Sequence, residues 1–153
     1  MRWTGPEGYW ASDERELVDV AWVHSWLSRE AYWAQGRPYD VVARSIEHSL
    51  VVGLYSAEGA QVGFARFVTD YATFGWLCDV FVDPAHHDSG LGSFLVETAI
   101  NHPTVDGVLQ VLAATPGRTL YTRQGFAPLA SPGRWMERRR KPSVAADSPQ
   151  SHP

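Results

Sequence analysis

The chain has 153 residues, of which 44% are hydrophobic and 20% charged, and a formal net charge of −4, the make-up of one globular domain long enough for a real core. The negative balance argues against nucleic acid as a main partner, because phosphate backbones are held by clustered positive charge. No apolar run reaches the roughly 20 residues of a membrane helix, and the start Met1-Arg2-Trp3-Thr4-Gly5-Pro6 has no signal-peptide core, so no membrane partner and a cytoplasmic location are expected.

Met1 to Gly8 reads as an irregular lead-in, and Tyr9-Trp10-Ala11 as a short first strand. Ser12 or Asp13 then offers a helix N-cap, with Glu16 completing a capping box. Leu17, Val20, Ala21, Val23, His24 and Leu27 follow at helical spacing, with His24 at the apolar edge as a structural or surface residue. Ser28 to Pro38 is less regular and holds Tyr32, Trp33, Gly36 and Arg37. Tyr39 to His48 reads as a second helix through Val41, Val42, Ser45 and Ile46.

Leu50 to Tyr55 and Gln61 to Thr69 read as two strands of a hairpin, joined by Ser56-Ala57-Glu58-Gly59-Ala60. Asp70-Tyr71-Ala72 turns the chain into a long strand, Thr73 to Val82, whose second half from Trp76 is almost wholly apolar and stops at Asp83-Pro84. After His86-His87-Asp88-Ser89-Gly90, the residues Leu91, Phe94, Leu95, Thr98 and Ala99 recur on one helical face. That helix ends at Asn101-His102, because Pro103 disfavours helical geometry in the residue before it.

Val108 to Ala114 is a further strand, and Arg118 to Gln124 a short helix ended by Gly125 as a left-handed cap. Phe126 to Met136 contains Pro128 and Pro132, which points to one or two short edge strands. From Lys141 onwards Pro, Ser, Ala and Gln dominate, so residues 1–140 are expected as one domain and 141–153 as a disordered tail. The basic run Arg138-Arg139-Arg140-Lys141 reads as a solvated end. The pattern as a whole is α/β, a mixed and mostly antiparallel sheet flanked by helices.

Gly90 and Gly92 flank Leu91 at the helix entrance, where the first amides have no partner inside the helix and the helix dipole favours an anion. A phosphate or pyrophosphate could sit there; a tight strand-to-helix turn is the plainer alternative. Val82-Asp83-Pro84-Ala85-His86 and His87-Asp88-Ser89-Gly90-Leu91-Gly92 together resemble the acyl-CoA-binding turn of the GNAT N-acetyltransferases, usually Arg/Gln-x-x-Gly-x-Gly/Ala. Leu120-Tyr121-Thr122-Arg123-Gln124-Gly125-Phe126 resembles that family's second signature, Leu-Tyr-x-x-x-Gly-Phe. The resemblance spans about Gly8 to Arg138. Where the family has Arg or Gln this chain has His87, and Asp88 and Ser89 replace a common Gly and a common basic residue. Ala114 stands seven positions before Tyr121, where the family often has Asn.

The resemblance implies a GNAT-like fold and transfer of an acetyl or short acyl group from acetyl-CoA to an amine of a small-molecule acceptor. The co-substrate would be held by the turn from His87, Asp88 and Ser89 through Gly90, Leu91, Gly92 and Ser93, and by backbone near Val80, Phe81 and Val82, with Arg118 as a further phosphate contact. Tyr121 would protonate the leaving thiolate. Tyr32 and Trp33, with Tyr71, would line the acceptor pocket, and a homodimer is possible for the family. The altered turn leaves open a second reading, a small-molecule-binding protein or a different reaction on the same fold.

By chemistry alone, Asp79 stands out as a carboxylate inside an apolar run, where burial is costly unless it is paired or faces a cleft. Two readings stand: a catalytic group that attracts the acceptor ammonium and accepts its proton, or a structural partner of a residue such as Arg66. Cys78, the only cysteine, reads as a small buried thiol. The six histidines show no zinc-site spacing, and no metal is assigned.

Overall fold

The apolar runs of the sequence pair in the order in which they occur. A computed structural model describes residues 1–139. Six strands lie side by side in chain order, β1 (Arg2–Thr4), β2 (Trp10–Ser12), β3 (Leu50–Tyr55), β4 (Gln61–Thr69), β5 (Phe74–Val82) and β6 (Leu109–Leu112). Neighbours are antiparallel except β5 and β6, which are parallel and need a crossover. The helix α3 (Leu91–Ile100) supplies it.

Helices cover both faces of the sheet. On one face α1 (Val20–Arg29) and α2 (Tyr39–Glu47) bury Val23, Leu27, Val42 and Ile46 against Val51, Phe64 and Phe81. On the other, α3 packs Leu91, Leu95, Val96 and Ala99 against Val52, Leu54, Ala65, Phe67 and Leu77. Tyr121, on the short helix α4 (Thr119–Arg123), joins this second core.

One residue changes the phase of β5. Phe64 pairs with Phe81 but Arg66 pairs with Cys78, so β5 carries one residue more than β4 between these pairs. This is a β-bulge, and Asp79 lies in it with φ 51°, in the left-handed region. In an unbroken strand Leu77 and Phe81 would share a face. Here Leu77 packs under α3 while Phe81 packs under α1, stacked on Trp26 at 3.9 Å.

Three sequence expectations change. Arg2–Thr4 is a strand rather than lead-in, paired through Arg2↔Ser12 and Trp3↔Ala11. It is too short to show alternation, and the Arg2 guanidinium lies 3.6 Å over the Trp10 ring across the pair. The first helix starts at Val20, capped by Asp19, which accepts the Trp22 amide at 2.9 Å. Asp13 is engaged elsewhere, with His102 and the N-terminal ammonium, and Arg15–Leu17 makes only one 3-10 turn. Phe126 to Met136 forms no strand; it holds a 3-10 turn at Pro132–Arg134, with Trp135 near Phe74. Pro128 and Pro132 lack the amide that pairing needs. The expected tail from Lys141, and Arg140, lie outside the described residues.

The buried face of α3 packs against β3, β4 and β5. Leu95 is fully buried there, and Leu95→Ala should lower unfolding stability by about 2–5 kcal/mol, read by urea titration. A loss well under that range would mean that this face does not carry the core.

Candidate active site

β5 and β6 pair only as far as Leu77↔Leu112. Beyond that point β5 runs on through the bulge to Val82 while the other chain leaves at Ala113, and the two backbones part. A cavity of about 510 Å³ opens at the parting, lined by Leu77 to Val80, by Leu112 to Pro116, by Tyr121 on α4 and by Tyr32, Trp33 and Arg37 from the α1–α2 connection. Its size suits a small ligand.

The bulge explains how a carboxylate sits in an apolar strand. Asp79 is buried, yet its Oδ2 accepts from Arg66 Nε at 3.0 Å and from Arg37 Nη1 at 2.9 Å, and its Oδ1 accepts from the Trp33 indole at 3.1 Å. Arg66 Nη1 donates in turn to Ser49 Oγ at 3.1 Å. Asp79 therefore pairs with Arg66, as the structural reading expects, and it also lines the cavity. The same bonds fix Arg37 and Trp33, tying the loop after α1 to the central strand.

Tyr121 is buried and turns toward this cavity, packed edge-on to Phe126. Burial raises its pKa, which Arg118 partly opposes, so the phenol stays protonated at neutral pH. Arg118 itself is exposed at the cavity rim. Tyr32 donates to or accepts from Thr115 Oγ1 at 2.8 Å, bridging the two sides of the opening. Cys78 also faces the cavity, but burial pushes its thiol up to about 12, so it is no thiolate nucleophile.

The helix-entrance turn lies next to α4 rather than in the cavity wall. Pro84–Ser89 forms a 3-10 segment and Gly90 caps α3 with φ 69°, a conformation that favours glycine. A Cβ built at Gly90 meets nothing within 4 Å, and one at Gly92 only Leu120 at 3.9 Å. Steric demand inside the fold therefore does not require glycine at 92, and the first amides of α3, at Leu91, Gly92 and Ser93, have no partner inside the helix. His87 Nε2 donates to the Val82 carbonyl at 2.7 Å, which ties its ring back to the strand end. The Ser89 hydroxyl donates to Glu7 at 2.8 Å. Asp88 lies in the same turn, and its side chain is outside what the structure describes.

The structure thus brings Tyr121, Asp79, Val80, Arg118, Tyr32 and Trp33 together. It leaves Phe81 and Val82 in the cores, and Tyr71 apart, half-exposed in the β4–β5 turn built on Asp70. Arg37, Trp76 and Thr115 line the cavity without having been singled out as site residues. Arg37 had one usable signal, its place four residues after Trp33 in the connection already read as a pocket wall. Among the described residues no helix is long and apolar enough to cross a membrane.

A mixed sheet parted between two parallel strands, with a glycine-opened helix entrance beside the gap, defines an acyltransferase-type fold. The model of the acetyltransferase (GNAT) domain matches residues 47–128, and the chain belongs to the GNAT acetyltransferase family. A candidate acetyltransferase of that family from Xanthomonas campestris pv. campestris is 38% identical, with a TM-score of 0.84 over 89% of this chain and 96% of its own. A candidate acetyltransferase from Clostridium acetobutylicum, solved with acetyl-CoA, shares the fold with a TM-score of 0.61 at 14% identity, over 91% of this chain and 96% of its own. A Gibberella zeae protein named as a candidate acetyltransferase is 29% identical over 115 residues, 63% of this chain; the match spans 64% of that relative's length.

The ion pair at the bulge gives a direct test. Asp79→Asn keeps a residue that tolerates the left-handed region but leaves the buried Arg66 short of its counter-charge, and should cost about 3–5 kcal/mol of stability by chemical denaturation. A cost under about 1 kcal/mol would mean that the carboxylate does not compensate the two arginines.

Proposed function

We propose that this chain transfers an acetyl group from acetyl-CoA to the amine of a small-molecule acceptor. The observation that carries the reading is the cavity at the β5–β6 parting, which joins the free edge of β5 at Val80, the protonated Tyr121 and the aromatic α1–α2 connection. Acetyl-CoA would supply the acetyl group as a thioester. The helix-entrance amides of Leu91, Gly92 and Ser93 would hold a pyrophosphate, and the β5 edge from Val80, beyond the last pair with β6, would take the amide-bearing arm, with the Val82 carbonyl already held by His87. Phe81 and Val82 would act there through backbone alone, since their side chains belong to the cores.

Tyr121 acts in this reading as the general acid. Burial keeps its phenol protonated, so the proton is in place when the thiolate leaves, although the raised pKa makes it a weaker acid than an exposed tyrosine. Asp79 serves as a positioning residue. Its Oδ2 is taken by two arginines and one side of its Oδ1 by an indole, leaving little capacity to accept a substrate proton. The acceptor amine then loses its proton to water. His87, held by the Val82 carbonyl, supports the turn's shape and leaves the anion to the backbone.

One observation favours a second reading, a binding protein on the same fold. Glu7 hydrogen-bonds Ser89 and places a carboxylate against the phosphate turn, where other members carry basic residues. Isothermal titration with acetyl-CoA and with CoA separates the two. Saturable binding of both is expected; absence of binding would leave the fold without its co-substrate and favour the second reading.

Tyr121→Phe should lower kcat by about 10²-fold while acetyl-CoA affinity stays within a few-fold. Because the pKa of Tyr121 is raised, its protonated form persists above the ordinary tyrosine value of about 10, so wild-type activity should not fall through that region for want of the acid. Unchanged kcat in Tyr121→Phe would remove the tyrosine from the chemistry.

A further inference from the structure

The cavity carries more positive than negative charge. Arg37, Arg66, Arg118 and Arg139 line it, and Asp79 is the one carboxylate among its lining residues. Arg139 is offset by Glu137 beside it at 3.2 Å, both exposed. Arg66 is buried and committed to Asp79 and Ser49. Arg37 gives only Nη1 to Asp79, and among the described residues it pairs with no other acid; Arg118 pairs with none. One carboxylate thus serves two guanidiniums in a partly dry wall, and a third stands at the rim.

Such an excess is unfavourable in an empty low-dielectric site and favourable once an anion enters. The remaining N–H groups of Arg37 form a planar fork of the kind that binds carboxylates and phosphates. Tyr32, Trp33 and Trp76 stand around the same space and offer apolar faces. The positive field also has a chemical consequence, since it disfavours an ammonium and so favours the neutral, nucleophilic form of an incoming amine. A purely cationic acceptor would be repelled by the same wall.

We infer that the acceptor is an acidic amine: the molecule that carries the amine also carries an acid group, carboxylate or phosphate, seated on Arg37, with its apolar part against Trp33 and Trp76. This rests on the acyl-transfer reading of the same cavity. In the reaction the amine nitrogen forms the new bond to the acetyl carbon, the carbon–sulfur bond breaks, the amine proton leaves to water, and Tyr121 gives its phenol proton to the thiolate and regains one from water. The acid group takes no part and fixes the amine's position.

The test is isothermal titration of the full chain, with and without CoA, against two matched pairs: phenylalanine with 2-phenylethylamine, and phosphoethanolamine with ethanolamine. The acid-bearing member of at least one pair should bind about tenfold tighter, and Arg37→Gln should bring that pair within about threefold. The pair that responds tells carboxylate from phosphate. Equal or tighter binding of the plain amine in both pairs, or no binding by any of the four, would overturn the inference. Saturable acetyl-CoA binding without an acid preference would remove the acidic acceptor and leave acyl transfer standing. An acid preference without acetyl-CoA binding would do the reverse.

Discussion

The rest of the site depends on the bulge at Asp79 and the ion pair that holds it. A strand that stayed regular from Phe74 to Val82 would keep Leu77 and Phe81 on one face, and one of the two cores would lose its central residue. The extra residue reverses the phase, delivers Phe81 to Trp26 on the far face and turns Asp79 toward the cavity. A left-handed aspartate in a strand is strained. Its two arginines and the Trp33 indole over-determine the position, and the same bonds tether the loop after α1. Fold, cavity wall and the α1–α2 connection therefore share one electrostatic knot.

Much of the fold was legible because its signals are local. β3 and β4 fall on the residues read as a hairpin, α3 on its apolar face, and α4 ends at Gly125 with φ 91°. What could not be read depends on distant partners. β1 exists only because β2 pairs with it, and the true cap of α1 is Asp19 because Asp13 bonds to His102, far along the chain. The bulge leaves no mark in the sequence beyond a carboxylate inside an apolar run, for which a catalytic and a structural reading stood open. The pairing with Arg66 is the structural one, and it depends on a residue 13 positions away that only the fold brings beside it.

The candidate site shows the same division. Tyr121 and the turn from His87 to Ser93 rest on the motif resemblance, whereas the charge of the cavity emerges only when Arg37, Arg66 and Arg118 meet from three separate segments of the chain. Among the residues expected at the turn, His87 and Ser89 are bonded within the fold, to Val82 and Glu7. Departures from the usual basic turn are thus met by internal partners, and in the proposed reading an anion there would be held by backbone amides and the helix dipole. Side-chain positive charge is concentrated instead in the cavity wall.

In the proposed reaction acyl-CoA and acceptor meet at the β5–β6 parting, and a crystal structure of the chain grown with CoA would locate both ends of the co-substrate. The pyrophosphate is expected over the amides of Leu91 to Ser93 and the thiol in the cavity beside Tyr121. CoA bound with its thiol away from that cavity, or with its pyrophosphate off the α3 entrance, would contradict that proposal.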